Sequence, residues 1–277
     1  MGDSLAWCRE RMLVPGQPLS ASLLFIPEPD RAAILALRTV CAELTEAARR
    51  VSDPLVASAK LSWWRQTLSG RYAHPAVAAL ESTGAAQRLP DGVFQPLLDG
   101  LQATVEPARF ERFEELWDYC GAGYGRAAEV EFSLNERSAE GADGMAMELG
   151  SAGGLLRVVR DLVPEARQNR WLVPLDLQAQ FQVARMDALG DRVGPGWDGL
   201  VRTLVERALR RGDEAASRLG PGHRHLVIHW AVDRRLARVL LQRPRDALKT
   251  RILPGHAGNV WAAWRAARRL QRRGGAH

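Results

Sequence analysis

Lysine is nearly missing from this 277-residue chain: of 38 basic residues, only Lys60 and Lys249 are lysines. Arginine gives bidentate contacts to phosphates and carboxylates. Alanine and glycine are abundant beside it, as a GC-rich coding sequence produces, so arginine richness alone assigns no function. Cysteine is scarce as well. Cys8, Cys41 and Cys120 are odd in number, far apart and without a CxxC pair. That argues against a disulfide framework or a zinc ribbon and for a reducing compartment. Long apolar runs are absent, none approaching the roughly 18 residues that a spanning helix needs. The first nine residues, Met1 to Arg9, carry an early acid and no sustained apolar stretch. A cytoplasmic location is expected, with a peripheral place at the inner membrane as a further option. Hydrophobic residues at 46% and charged residues at 25% exclude a disordered chain.

Strand signals are missing too: no alternating β-branched run is bounded by an Asn-Gly or Asp-Gly turn. Helical periodicity recurs instead. Asp30 is expected to cap a helix starting at Arg31 and carrying Ile34, Leu35, Leu37, Val40, Cys41 and Leu44. Asp53-Pro54 reads as a cap followed by proline at the first helical position. Further helices are expected near 75–85, 91–104, 108–135, 143–162, 197–219, 222–243 and 257–273. Stops are expected at Gly70, Pro90, Pro107, Gly141, Pro174 and the Gly-Pro-Gly turns at 194–196 and 220–222. Trp171 to Leu175 reads as extended chain or as the start of a helix. Short loops and the lack of repeats point to a single all-α domain over 1–277.

What is present is unevenly charged. From Arg202 to His277 there are 18 Lys/Arg against 5 Asp/Glu, while the other 201 residues hold 20 against 27. A net +13 facing a net −7 favours docking of one part on the other, or a basic face for an anionic partner. The helix at 257–273 is basic and amphipathic. Either it lies on an anionic membrane surface with Trp261 and Trp264 at the interface, or it packs by its Trp/Ala/Leu side. The nine tryptophans fill a core or line a cavity. No zinc finger, glycine-rich RNA motif or aromatic-basic repeat accompanies the pI of about 9.9, which argues against nucleic-acid binding.

The segment Leu155 to Pro174 carries the most chemistry. On a helix Asp161 and Glu165 share a face, and two such carboxylates can hold Mg²⁺, which in turn binds phosphate oxygens. Arg157 and Arg160 could meet a diphosphate directly. The bland reading is a surface ladder, Arg157–Asp161–Glu165. His223, His225 and His229 form a further pattern, either a zinc pair on one helix face or polar residues on the first turn of a basic helix.

Arg160-Asp161-x-x-Pro164-Glu165-Ala166, then Arg170-x-x-x-Pro174, resembles the second acidic motif of the squalene/phytoene synthase family. Leu24-Phe25-Ile26-Pro27 with Arg31, Leu61-Ser62-Trp63-Trp64-Arg65, and Tyr119-Cys120 before a glycine-alanine stretch resemble its other signatures, in order. The resemblance implies an isoprenoid-synthase-type helical bundle around a central cavity. It further implies an isoprenoid diphosphate as ligand and Mg²⁺ as cofactor. Its first acidic motif falls on Ala42-Glu43-Leu44-Thr45-Glu46, so the catalytic set it implies is Glu46, Asp161 and Glu165, with Glu43 as an added metal ligand. Arg38, Arg157, Arg160 and Tyr119 would bind diphosphate.

The motifs are altered. Ala42 stands in place of the leading aspartate, Arg157 in place of an asparagine, and Pro164 in place of an acid, where it is expected to kink or end the helix. Glutamate for aspartate displaces a ligand by about 1.5 Å, which strict octahedral magnesium geometry tolerates badly. The chain is in these respects most similar to the family branch that includes mitochondrial complex I assembly factors. The expectation is therefore a protein that binds a diphosphate or a protein partner without efficient catalysis. The alternative is an active Mg-dependent head-to-head prenyl transferase.

Overall fold

The computed structural model describes residues 3–51, 53–106, 109–135, 144–190 and 193–274, and among them there is no strand. The expected stops at Pro107 and Gly141 lie outside the described residues. In chain order the α-helices are α1 (Ser4–Met12), α2 (Pro18–Ser22), α3 (Asp30–Arg49), α4 (Pro54–Leu68), α5 (Pro75–Ser82) and α6 (Gln95–Ala103). They continue as α7 (Phe113–Cys120), α8 (Arg126–Phe132), α9 (Met145–Arg167), α10 (Leu175–Phe181) and α11 (Arg185–Leu189). The last four are α12 (Gly196–Arg218), α13 (Arg224–Gln242), α14 (Asp246–Lys249) and α15 (His256–Gly274).

Local chemistry explains several boundaries. Asp53 caps α4 as expected, its Oδ1 accepting from Leu55 N at 2.8 Å, with Pro54 opening the helix. Asp30 does not cap α3: it is the first helical residue, and its carboxylate turns to Arg88 at 2.9 Å. The single helix expected over 108–135 is broken into α7, a π-helical turn at Gly121–Gly125, and α8. The reason is close approach to α9. A Cβ at Gly150 would strike the Tyr124 carbonyl and Ala128, and one at Gly154 would strike the Tyr124 ring. Pro164 neither ends nor interrupts α9, which runs to Arg167. Proline removes only its own donor, and buried Leu162, Val163 and Ala166 anchor the last turn.

Two apolar cores flank the middle of the molecule. One is built from α1 to α6 with Ile228 and Val232 of α13 and Ala263 and Ala267 of α15. The other packs α7, α9 and α12 against the opposite side of α13, through Leu155, Leu162, Trp197, Leu204 and Leu236. Burying leucines and alanines on these faces supplies the main driving force, about 25 cal/mol per Å² of apolar area removed from water. The three cysteines are free and buried, and burial pushes the Cys41 and Cys120 thiols up to about 12, so they are inert. Among the described residues no helix is long and apolar enough to cross a membrane.

Candidate functional site: an arginine-lined central cavity

Between the two cores lies a cavity of about 890 Å³. Helix α9 contributes Gly150, Gly153, Arg157, Val158, Asp161, Pro164 and Glu165, a stripe at three- and four-residue spacing. Helix α3 contributes Arg38, Ala42, Thr45, Glu46 and Arg49 by the same rule. The structure thus brings Glu46, Asp161, Glu165, Arg38, Arg157 and Tyr119 to one lining. Glu43 and Arg160 are not part of it. Glu43 sits beside the α3 stripe and accepts from Arg11 Nε at 2.6 Å. Arg160 is buried and clamps Asp161 from behind, with Nε and Nη2 at 2.8 and 2.5 Å.

Each acidic side chain facing the cavity already holds a guanidinium. Glu46 accepts from Arg11 and from Arg50, both at 2.8 Å. Asp161 takes a second arginine, Arg251, at 3.0 and 3.1 Å. Burial works to raise the Asp161 pKa, but Arg160 and Arg251 together hold it below the usual carboxylate value. Glu165 pairs with Arg170 at 3.0 Å. The i,i+4 ladder does not form: Arg157 turns instead to Asp233 of α13, at 3.0 and 3.2 Å.

Arg49 differs from these. Among the described residues no carboxylate pairs with it, and its Nε is buried without a hydrogen-bond partner. Its guanidinium lies over the rings of Tyr119 and Tyr124, at 4.5 and 4.8 Å, where the ring faces stabilise the charge. Arg170 braces the same corner, donating to the Arg49 carbonyl and, at 3.2 Å, to the Tyr119 hydroxyl.

Sequence reasoning missed Arg11, Arg49, Arg50, Arg251, Tyr124 and Asp233; it quoted Arg170 in the second motif and His229 as a zinc candidate without placing either in the lining. With Arg38 and Arg157 the lining holds seven arginines against Glu46, Asp161, Glu165 and Asp233, an excess of three positive charges. Only the tyrosine following the Tyr119-Cys120 signature offered a local clue. The tryptophan-arginine signature lies elsewhere: Trp63 stacks on Tyr72, Trp64 packs on His74, and Arg65 pairs with Asp99. Of the tryptophans, Trp230 reaches the cavity.

The residues at the acidic motifs do not fit a magnesium cluster as they stand. Mg²⁺ asks for free carboxylate oxygens in near-octahedral array, whereas Glu46 and Asp161 accept from guanidinium groups. Glu165 Oε2, buried without a hydrogen-bond partner, lies 3.0 Å from the Arg170 guanidinium. Among the described residues no three His, Cys, Asp or Glu side chains group to hold a metal ion. His225 and His229 likewise do not form a zinc pair, because their nitrogens turn to Ser22, Glu131 and Arg157. His223 stacks on Phe132 at 3.8 Å.

An all-helical bundle closed around a polar, arginine-rich cavity defines the class. A family model for squalene/phytoene synthase matches residues 16–258, and the chain belongs to that family. Phytoene synthase from Arthrospira platensis is 26% identical over 253 residues, covering 83% of this chain and 79% of that protein. Chloroplastic phytoene synthase 1 of Solanum lycopersicum is 25% identical over 204 residues, covering 70% of this chain and 49% of that protein. The chain spans about half the length of such plant relatives. Among solved structures, a dehydrosqualene synthase in complex with ligand superposes with a TM-score of 0.79 at 16% identity, covering 97% of both chains. Squalene synthase HpnC from Alicyclobacillus acidocaldarius superposes with a TM-score of 0.69 at 18% identity, covering 87% of this chain and 94% of that one. These two share the fold.

Proposed function

We propose that the chain binds an isoprenoid diphosphate in its central cavity through guanidinium groups rather than through a magnesium cluster, without efficient turnover. Arg49 carries this reading. A half-buried cation with no carboxylate partner among the described residues, held over two tyrosine rings and donating to the Tyr119 carbonyl at 3.2 Å, suits an anion. Arg170 and the Tyr119 hydroxyl stand beside it to bind further phosphate oxygens. Leu19, Met12, Val158, Leu226 and Trp230 offer apolar wall for the prenyl chain. Ionising an allylic diphosphate needs strong neutralisation of the leaving group. Arginines already spent on Glu46, Asp161, Glu165 and Asp233 supply less of it than bound metal does.

The test is calorimetric binding of non-hydrolysable farnesyl thiodiphosphate with EDTA or with Mg²⁺. Affinity should be unchanged by EDTA, and Arg49→Ala should weaken it at least about tenfold, near 1.4 kcal/mol. In parallel, Mg²⁺-dependent pyrophosphate release from farnesyl and geranylgeranyl diphosphate should be absent. Release that disappears in Asp161→Ala would instead restore the active prenyl transferase. Failure of the thiodiphosphate to bind would leave the protein-partner role of the assembly-factor branch as the better account.

A second feature favours a membrane surface as partner. Helix α15 packs by Ala263 and Ala267, leaving Trp261 and Trp264 exposed at 52% and 41%, each under an arginine, Arg265 or Arg268. Beside Trp264 a groove of about 500 Å³ is lined by Arg31, Arg224 and Arg268 with exposed Leu24, and by no carboxylate among the described residues. Basic heads beside apolar anchors suit anionic lipid. Co-sedimentation with vesicles containing phosphatidylglycerol should exceed that with phosphatidylcholine alone and fall in Trp264→Ala.

A further inference from the structure

Behind the cavity wall five elements share one hydrogen-bond chain. Arg157 Nη2 of α9 meets His229 Nε2 of α13 at 3.2 Å, and His229 Nδ1 meets the Ser22 hydroxyl of α2 at 3.1 Å. Ser22 meets His225 Nε2 at 2.9 Å, and His225 Nδ1 meets Glu131 of α8 at 2.7 Å. The other Glu131 oxygen accepts from Arg38 Nε of α3. His229 lines the central cavity, while His225 and Glu131 line a separate pocket of about 640 Å³. Ser22 is fully buried and lines neither, so it links the two without being open to a substrate.

The chemistry of the ends dictates where protons sit. A guanidinium only donates, so His229 Nε2, facing Arg157, must be the bare nitrogen. A neutral imidazole carries one proton, and in His229 it is therefore on Nδ1, directed at Ser22. The groups facing His229 are cationic from two other helices, Arg38 and Arg157, with His225 and Asp233 on its own helix and Ser22 opposite. Burial, then those arginines and His225, hold its pKa well below the usual histidine value. Arg157 Nη2 is thus shared between His229 and Asp233, and the Asp233 carboxylate also lies 3.9 Å from His229 Nε2.

We propose that His229 is a positioning residue that couples anion entry to release of Arg157. When a phosphate-type anion enters the cavity, the bare Nε2 of His229 takes one proton from water. The new N–H turns to Asp233, the Arg157–His229 hydrogen bond breaks, and Arg157 Nη2 is free to donate to the anion. The anion offsets the positive field that keeps His229 neutral, which is why protonation follows binding. The inference rests on the cavity being an anion site, as proposed above.

Sulfate is the probe, because it does not titrate between pH 6 and 8. In the full chain labelled with ¹⁵N-histidine, His229 should appear at pH 7 as the Nδ1–H tautomer and become doubly protonated at saturating sulfate. Sulfate affinity should rise by up to tenfold per pH unit between pH 8 and 6, the limit for one linked proton. His229→Gln keeps an acceptor for Arg157 but cannot take the proton, so it should abolish that slope. Ser22→Ala removes the acceptor for Nδ1–H but leaves Arg157 facing Nε2, so the Nδ1–H tautomer should persist at pH 7. Sulfate binding with a flat pH profile, or a His229 still neutral at saturation, overturns the inference alone. Binding of neither sulfate nor farnesyl thiodiphosphate overturns the anion site and the inference with it. Should either variant fail to fold, the wild-type spectra still decide.

Discussion

Glu46, Asp161 and Glu165 keep 35%, 20% and 28% of their side chains in solvent, whereas Glu131 and Asp233 keep 4% each. All five hold arginines. Around the first three, water can reorganise and screen the charge, so their pairs are cheap to form and cheap to lose. The two buried carboxylates have no such recourse, and their fates diverge. Glu131 has two partners at hydrogen-bond distance, Arg38 and His225, which overcome burial and pull its pKa down to about 2. Asp233 has Arg157 at hydrogen-bond distance, and burial still wins, raising its pKa. A second partner in direct hydrogen-bond contact, which Glu131 has and Asp233 lacks, decides the direction of the shift in a dry interior. Arg38 and Arg160 also act on Asp233, without hydrogen bonds to it, and do not reverse the effect of burial.

That contrast can be broken most forcefully at Glu131. Replacing it in Glu131→Ala leaves the Arg38 guanidinium and His225 without their anion inside the protein. It should cost about 3–5 kcal/mol, the penalty of an unpaired buried charge. Urea denaturation measures this, and a loss under about 1 kcal/mol would mean that water reaches the site.

The next effect is on pH dependence. Glu131 titrates at about 2 when folded against 4.5 when unfolded, so its contribution is complete above pH 4.5 and is lost as pH falls towards 2. His229 is held well below 6.5, so the unfolded chain binds its proton first and stability falls as pH drops below about 6.5. Asp233, raised, works in the opposite direction and blunts the fall near pH 4. Denaturation midpoints from pH 8 to 3 should therefore decline in two stages. In His229→Gln the upper stage should shrink to the part due to His74, whose pKa burial also lowers, and the lower one stay.

Smallest of all should be Arg11→Ala. Its guanidinium is 40% exposed, Glu46 keeps Arg50 when it is gone, and Glu43, which loses its partner, is still reached by water. A loss below about 1 kcal/mol is expected in the same urea assay. A loss as large as that of Glu131→Ala would erase the distinction between the two sets.

Several parts of this picture were legible in the residues. Asp53-Pro54 opens α4 because capping is a local matter. Arg157, Asp161 and Glu165 share one face because the helical period places them there. Glu46 joined them through the resemblance of its motif. The break at Gly121–Gly125 was not legible, because it answers to the approach of α9. Nor was the passage of α9 through Pro164, which the packing of its last turn permits. The two candidate readings of α15 also needed the fold, since its alanines face the core and its tryptophans face outward.

By itself, the sequence determined an all-helical chain, the stripe of acids and arginines on α9, and membership of a family whose acidic motifs it has altered. Periodicity, caps and motif order are short-range properties, and a linear chain displays them. Only the tertiary structure decided which of 36 arginines neutralise those acids, and that Arg49 pairs with no carboxylate among the described residues. Arg11, Arg170 and Arg251 reach the cavity from segments far apart in the chain, and Ser22 meets His225 across 203 positions. Charge pairing in a folded protein depends on distance and burial, and neither is written in the spacing of residues along the chain.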